Sequence, residues 1–263
     1  MTDTPDEFID GLDTQHYASI PFPTTRTEIE AVATAFLEFL SLPDSIKRQL
    51  HFPARSYRAS ADGYTDKVNI DHKDPKQFFH WSPMLVKKQV CKELREVYPK
   101  VDAFFNASES LYREVEEVLW QIYSRHLPSY RNHVFKGGHL VDGILRFLCY
   151  TPRKEHSFCA QAHFDKGFST LAIADSAPGL RIGCCNQHPL TPVIYREGTA
   201  IFMPAWMLFQ ASEGKIKPAW HDVLHSPEEQ DISSLCARWS IVFFVNSPGT
   251  DFSSWEKLHT PLH

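Results

Sequence analysis

From about residue 143 onward the apolar runs of this chain are short, and proline and glycine break them repeatedly. Strand-like segments rich in β-branched and aromatic residues fall at 143–150, 169–174, 180–184, 192–195, 199–203 and 238–246. A back half built of many short strands buries its apolar faces by closing on itself or by stacking into two sheets. The front half reads differently. A helix is expected at 27–42, with Thr27 and Glu30 as its capping box and Pro43 as its stop, followed by a further helical turn at 45–50. Residues 51–80 are punctuated by Pro53, Asp62, Gly63, Asp71, Asp74 and Pro75, which predicts irregular loop with short strands. Apolar residues spaced by three and four predict a long helix over 93–130, ended by Pro128. The expectation is a mainly β domain with N-terminal helices (α+β), a single unit over 1–263 with a helical part at 1–140 and a β core at 141–250.

Composition narrows the function classes. Hydrophobic content of 43% and charged content of 22% are those of an ordinary globular protein, and 263 residues can bury a sizeable core. A formal net charge of −5 offers no basic surface for nucleic acid. No run approaches the roughly 18 apolar residues that span a bilayer, and the acidic start Met1-Thr2-Asp3-Thr4-Pro5-Asp6-Glu7 is unlike a signal or transit peptide. Six cysteines without a CxxC pair or a disulfide spacing predict a reduced, cytoplasmic protein. The partner expected is a small-molecule substrate, with no nucleic acid and no membrane, on a monomer or weak dimer.

Chemistry enters with Ala162-His163-Phe164-Asp165 and, 55 intervening residues later, His221 in Trp220-His221-Asp222-Val223. On a strand, residues i and i+2 point the same way, so His163 and Asp165 can reach one metal ion. Two imidazoles and one carboxylate on one face leave adjacent positions open, a set suited to non-haem Fe(II). Arg238-Trp239-Ser240 repeats the i, i+2 spacing and opens the strand-like run to Val245. A planar guanidinium beside a hydroxyl suits a carboxylate ligand.

Taken in order, these segments resemble the Fe(II)/2-oxoglutarate-dependent dioxygenases of the isopenicillin N synthase-like branch. Leu145-Arg146-Phe147-Leu148-Cys149-Tyr150-Thr151-Pro152 is similar to that branch's strand ending in Asn-Tyr-Tyr-Pro-Pro, with Leu148 in place of the asparagine. His163 to Leu171 is similar to its His-Thr-Asp-x-Gly-x-Leu-Thr-Leu, and Asp175 to Ile182 to its Gln-Asp-x-x-Pro-Gly-Leu-Gln-Val. Gly214 to Val223 resembles the segment ending in His-Arg-Val, Arg238-Trp239-Ser240 the Arg-x-Ser, and Asp74 to His80 an upstream Asp-x-Lys-Glu-x-Phe. The resemblance spans roughly residues 27–248. It implies a double-stranded β-helix (jelly roll) core, with Fe(II) held by His163, Asp165 and His221, and with 2-oxoglutarate and O2 as co-substrates. Arg238 and Ser240 would grip the distal carboxylate of 2-oxoglutarate, and Tyr150 would contact the same molecule. Asp165 argues against halogenation, because the resembling halogenases lack this carboxylate.

His221 precedes Arg238 by 17 positions, more than in the resembling proteins. Either an acidic loop at 226–231 is inserted or His225 is the ligand. His221 is favoured because the residues before it align without a gap, and the loop is expected to lie on the surface away from the iron. The lid role is assigned to residues 51–80. Substrate-contacting candidates are Arg58, Tyr64, Asn69, His80, Trp81, Arg146, Phe168, Trp206 and Phe209. The expected reaction is oxidation, by default hydroxylation, of a small polar or acidic metabolite with release of succinate and CO2. The alternatives are a 2-oxoglutarate-independent oxidase of the same fold and a non-catalytic jelly-roll binding protein.

Overall fold

The computed structural model describes residues 6–53, 62–68, 75–151, 157–226 and 236–247. Arg58, Asn69 and residues 227–231 of the acidic loop lie outside the described residues. The strands in chain order are β1 (Ala18–Pro21), β2 (His51–Phe52), β3 (Asp62–Asp66), β4 (Lys76–Trp81), β5 (Phe135–Lys136), β6 (His139–Leu140) and β7 (Asp142–Tyr150). They continue with β8 (Phe158–His163), β9 (Ser169–Asp175), β10 (Leu180–Gly183), β11 (Thr191–Pro192), β12 (Thr199–Pro204), β13 (Trp220–Leu224) and β14 (Arg238–Asn246). Eight of them form a major sheet in the order β1-β12-β9-β14-β7-β4-β3-β2. Four form a minor sheet, β11-β10-β13-β8, and every pairing in both sheets is antiparallel. Two such sheets make the jelly-roll core that the short strands of the back half called for.

Alternation along the central strands decides what each face does. Leu145, Phe147 and Cys149 of β7 and Trp239, Ile241, Phe243 and Val245 of β14 turn to the large core under the helices. Arg146, Leu148 and Tyr150, with Ser240, Val242 and Phe244, turn the other way and line a cavity between the sheets. The helices Arg26–Leu40 and Pro99–Arg125 cover the first face through aromatic contacts. Phe36 and Phe104 lie with ring centroids 5.4 and 4.9 Å from that of Phe147, and Phe39 stacks on Phe104 at 5.1 Å. Such pairs contribute about 0.5–1.5 kcal/mol each beyond burial alone.

Strand β9 breaks the alternation once. Its pairing with β14 shifts register between Ile241 and Val242, so Ile241 faces Ala174 while Val242 faces Ala172. The extra residue is a β-bulge, and it lets Ile173 and Ala174 both join the helical core while Asp175 emerges on the cavity side.

Several sequence expectations are corrected. The helix expected at 27–42 begins one residue earlier, and its capping box is Thr25 with Glu28, not Thr27 with Glu30. Thr25 is the residue with extended backbone, so its hydroxyl can accept the Glu28 N–H. The long helix at 93–130 is two, Gln89–Val97 and Pro99–Arg125, because Pro99 lacks the N–H needed to continue a helix and instead starts one. The described part of 51–80 is not a lid. Its strands β2, β3 and β4 extend the major sheet, and all six residues of β4 are buried. Among the described residues no helix is long and apolar enough to cross a membrane.

Candidate active site

His163 closes β8 and stands opposite His221 of β13 in the antiparallel register. Asp165 lies just beyond the strand end, so the shared face expected for a continuous strand is replaced by an irregular segment that still brings the carboxylate to both imidazoles. The backbone there is pinned, since the Trp206 N–H donates to the Asp165 carbonyl at 2.9 Å. His163 Nε2 is 3.5 Å from Asp165 Oδ1, and His221 Nε2 is 3.8 Å from Asp165 Oδ2. One donor atom from each of the three residues lies within 4.8 Å of the others.

Both imidazoles are oriented from behind. Nδ1 of His163 donates to the Gln161 carbonyl at 2.7 Å and Nδ1 of His221 to the Ala219 carbonyl at 3.0 Å. With Nδ1 protonated, Nε2 presents its lone pair to the centre of the triad, the state a metal ligand requires. The Thr170 hydroxyl donates to Asp165 Oδ2 at 2.6 Å. Burial opposes the charge on Asp165, yet the two imidazoles and this hydroxyl hold its carboxyl well below the usual range. Burial lowers the His221 pKa against the pull of Asp165. At His163 burial acts in the same direction, but the carboxylate outweighs it and the pKa rises. A carboxylate with two imidazole nitrogens fits a divalent cation.

The cavity is walled by both sheets. Lys76, Arg146, Tyr150, Thr170, Asp175, Tyr195 and Ser240 add polar groups to the triad. Arg146 lies over the rings of Phe78 and Phe244, at 4.6 and 5.6 Å. Arg238 is fully buried: Nη1 donates to the Pro178 carbonyl, and Nη2 is 3.0 Å from Asp175 Oδ1. Tyr195 donates to the other oxygen of that carboxylate at 2.8 Å. Gly179 makes room for this arrangement, because a Cβ built there would fall 2.5 Å from Arg238 Nη1. Its φ of +153° is one that side-chain-bearing residues rarely adopt.

The sequence candidates divide accordingly. His163, Asp165, His221, Ser240, Tyr150 and Arg146 gather at the cavity, with Arg238 behind its wall. His225 is not part of the triad; it is buried with its ring edge-on to Tyr150, centroids 6.5 Å apart, and its backbone N–H donates to the Ser157 carbonyl. Tyr64 is no substrate contact, because its ring packs edge-on to Phe39 in the helical core and its hydroxyl donates to Gln77. Phe168 is likewise core, against Tyr123 and His133. Trp81 packs on Tyr112 in the same core. His80 buries its ring against Phe78 and does not reach the cavity. Trp206 and Phe209 stack on each other beside the segment that carries Asp165, outside the cavity wall. Lys76, Thr170, Asp175 and Tyr195 were not singled out as site residues. Thr170 follows from strand alternation, whereas Asp175 falls in a matched motif but owes its place on the cavity side to the bulge, which alternation does not give.

Residues 142–247 match the family model of the 2OG-Fe(II) oxygenase superfamily. This stretch is a 2OG-Fe(II) oxygenase domain. It runs from β7 to β14 and so holds every cavity strand except β4, and with it the chain is an Fe(II)- and 2-oxoglutarate-dependent dioxygenase. No curated protein matches the chain by sequence. Among solved structures it is similar to a full-length Neurospora crassa protein in complex with alpha-KG, at 20% identity and a TM-score of 0.66, over 93% of this chain and 78% of that one. A 2OG-Fe(II) oxygenase family protein from Caulobacter crescentus matches at 20% identity and TM-score 0.66, over 92% and 80% of the two chains. The Arabidopsis thaliana dioxygenase for auxin oxidation 1, in a complex with 2-oxoglutarate, matches at 15% identity and TM-score 0.64, over 94% and 91%. At these identities the likeness speaks for the fold.

Proposed function

We propose that His163, Asp165 and His221 hold the Fe(II), that Arg238 and Ser240 bind the distal carboxylate of 2-oxoglutarate with Tyr150 beside it, and that a small acidic metabolite is hydroxylated. The observation that carries this reading is the convergence of the three donor atoms within 4.8 Å at a cavity that Ser240 and Tyr150 also line. When bound, the iron with O2 and 2-oxoglutarate supplies the oxidising equivalent, and succinate and CO2 are released. The chain's own residues do the rest. Gln161 and Ala219 fix the imidazoles, Thr170 steadies the carboxylate, and the apolar wall of Leu148, Val223 and Val242 excludes water from the reacting carbon.

An acidic substrate is favoured by the two cationic side chains on the cavity wall, Lys76 and Arg146. A carboxylate or similar anion entering such a confined space needs a positive partner. The similar Neurospora crassa protein has also been solved with alpha-KG and thymine, so a related fold accommodates a small ring, in keeping with a small substrate here.

The test is anaerobic addition of Fe(II) and 2-oxoglutarate to the protein. A weak visible charge-transfer band that needs both additions, and succinate formation on admitting air, is the expected result. Absence of the band with intact metal binding would overturn the assignment of the co-substrate site and turn attention to a 2-oxoglutarate-independent oxidation.

A further inference from the structure

A second group of metal-ligating side chains lies away from the triad, in the turn that follows β10. Cys184 Sγ is 3.5 Å from Cys185 Sγ, and Cys185 Sγ is 3.1 Å from His188 Nδ1. All three donor atoms lie within 4.8 Å of one another. Adjacent residues on an extended chain point in opposite directions, so two neighbouring thiols meet only where the backbone bends. Here the turn at 184–188 brings both sulfurs and the imidazole to one side. The environment is also unlike that of the other cysteines. Cys91, Cys149, Cys159 and Cys236 are buried, whereas Cys184 and Cys185 are partly accessible and His188 is exposed.

We propose that Cys184, Cys185 and His188 bind a thiophilic divalent cation of the Zn(II) class, with water completing the coordination. Tetrahedral zinc with Zn–S of about 2.3 Å and Zn–N of about 2.0 Å sets its donors roughly 3.5–3.8 Å apart. The separations of 3.5 and 3.1 Å approach that spacing, and the third, between Cys184 and His188, lies within 4.8 Å, so modest side-chain adjustment completes the site. Two sulfurs and one nitrogen select softer cations, while the nitrogen and oxygen donors of the triad do not, so the two sites differ in metal preference. The position is not remote from the chemistry: Gly183, the residue before Cys184, pairs with Trp220, and Ile182 pairs with His221. A cation here would brace the end of the strand that supports a triad histidine.

The probe is Cd(II), titrated into the full-length, reduced, metal-free protein while sulfur-to-cadmium charge transfer is followed in the ultraviolet. One equivalent per chain should produce the band, and Zn(II) should displace it competitively. The band should vanish in the Cys184→Ser/Cys185→Ser double variant, and His188→Ala should require about tenfold more Cd(II) or above. It should persist in His163→Ala and Asp165→Ala, which separates this site from the triad and from any failure there. Unchanged circular dichroism checks the fold of each variant. No band in the wild-type protein, or a band of equal size in the double serine variant, would overturn the proposal.

Discussion

Asp175 meets Arg238 at 3.0 Å because β9 carries one residue more than β14 opposite it. The bulge turns the carboxylate out of the helical core and onto the cavity wall, in register with Ser240. A 2-oxoglutarate carboxylate that reaches Arg238 must share this guanidinium with a resident anion.

Arg238→Ala is therefore expected to act twice. It should weaken 2-oxoglutarate binding by about 2–5 kcal/mol, the usual cost of truncating a buried charge pair. It should also destabilise the fold by about 3–5 kcal/mol, because Asp175 is left buried without its cation. Thermal melting together with the 2-oxoglutarate dependence of succinate release separates the two effects. Arg238→Ala/Asp175→Ala should recover stability and not co-substrate affinity, while Ser240→Ala should cost about 1–2 kcal/mol of affinity. Unchanged 2-oxoglutarate dependence in Arg238→Ala would remove this residue from the co-substrate site.

Single replacements of His163, Asp165 or His221 by Ala should abolish Fe(II) binding with the fold retained, whereas His225→Ala should not. Thr170→Val keeps the shape and removes the hydroxyl bonded to Asp165. A lost outer partner of a ligand typically lowers metal affinity about 10–100-fold. Isothermal titration with Fe(II) under anaerobic conditions measures all five variants.

The pH dependence of Fe(II) binding follows from His163, whose pKa is raised: burial opposes the charged form, but the hydrogen bond and charge of Asp165 prevail. A raised pKa means that the proton competes with the metal beginning above the ordinary histidine range near 6.5. Fe(II) affinity should fall on acidification from pH 8 to 6, approaching about tenfold per pH unit for one displaced proton. A flat profile across that window would contradict the ligand role of His163. In the metal-free protein the same raised pKa adds stability at low pH that is lost as pH climbs through it. Asp165, with its depressed pKa, contributes in the opposite sense, and that contribution disappears as pH falls below the carboxylate range.

Thiol reactivity should be sharply uneven. His188 beside the Cys185 thiol brings its pKa down to about 7, while burial pushes Cys91 up to about 11. Iodoacetamide at pH 7 should modify Cys185 first, with a rate midpoint near pH 7, and leave Cys91 untouched in the folded protein. Peptide mapping by mass spectrometry reads the order directly, and His188→Ala should shift the Cys185 midpoint upward.

The three residues of the triad were legible from their types and spacing, although Asp165 lies beyond the strand on which the shared face with His163 was expected. The central strands were legible too, since β7 and β14 combine strong β-formers with clear punctuation. What escaped depended on register. Thr25/Glu28 and Thr27/Glu30 look alike as capping boxes, and only backbone conformation separates them. Strand β1 has four residues and pairs with β12 more than 170 positions away, so no local pattern announces it. Lys76 and Tyr195 reach the cavity through sheet pairing and a loop return, and a single polar residue carries no period to find. Tyr64 and Phe168 failed as substrate contacts because an aromatic near a motif says nothing about which side of a sheet it occupies.

Strand β14 has consequences for how this enzyme can change. Its odd-numbered positions answer to the helical core, where replacing Phe243 by Ala would cost about 3–5 kcal/mol. Its even-numbered positions, Ser240, Val242 and Phe244, answer to the cavity. Two selective pressures thus act on alternate letters of one nine-residue word. Substrate preference can drift through Val242 and Phe244 while the odd letters keep the core standing and Arg238 and Ser240 stay with the co-substrate. Descendants acting on new substrates should therefore differ from this chain first at those two positions.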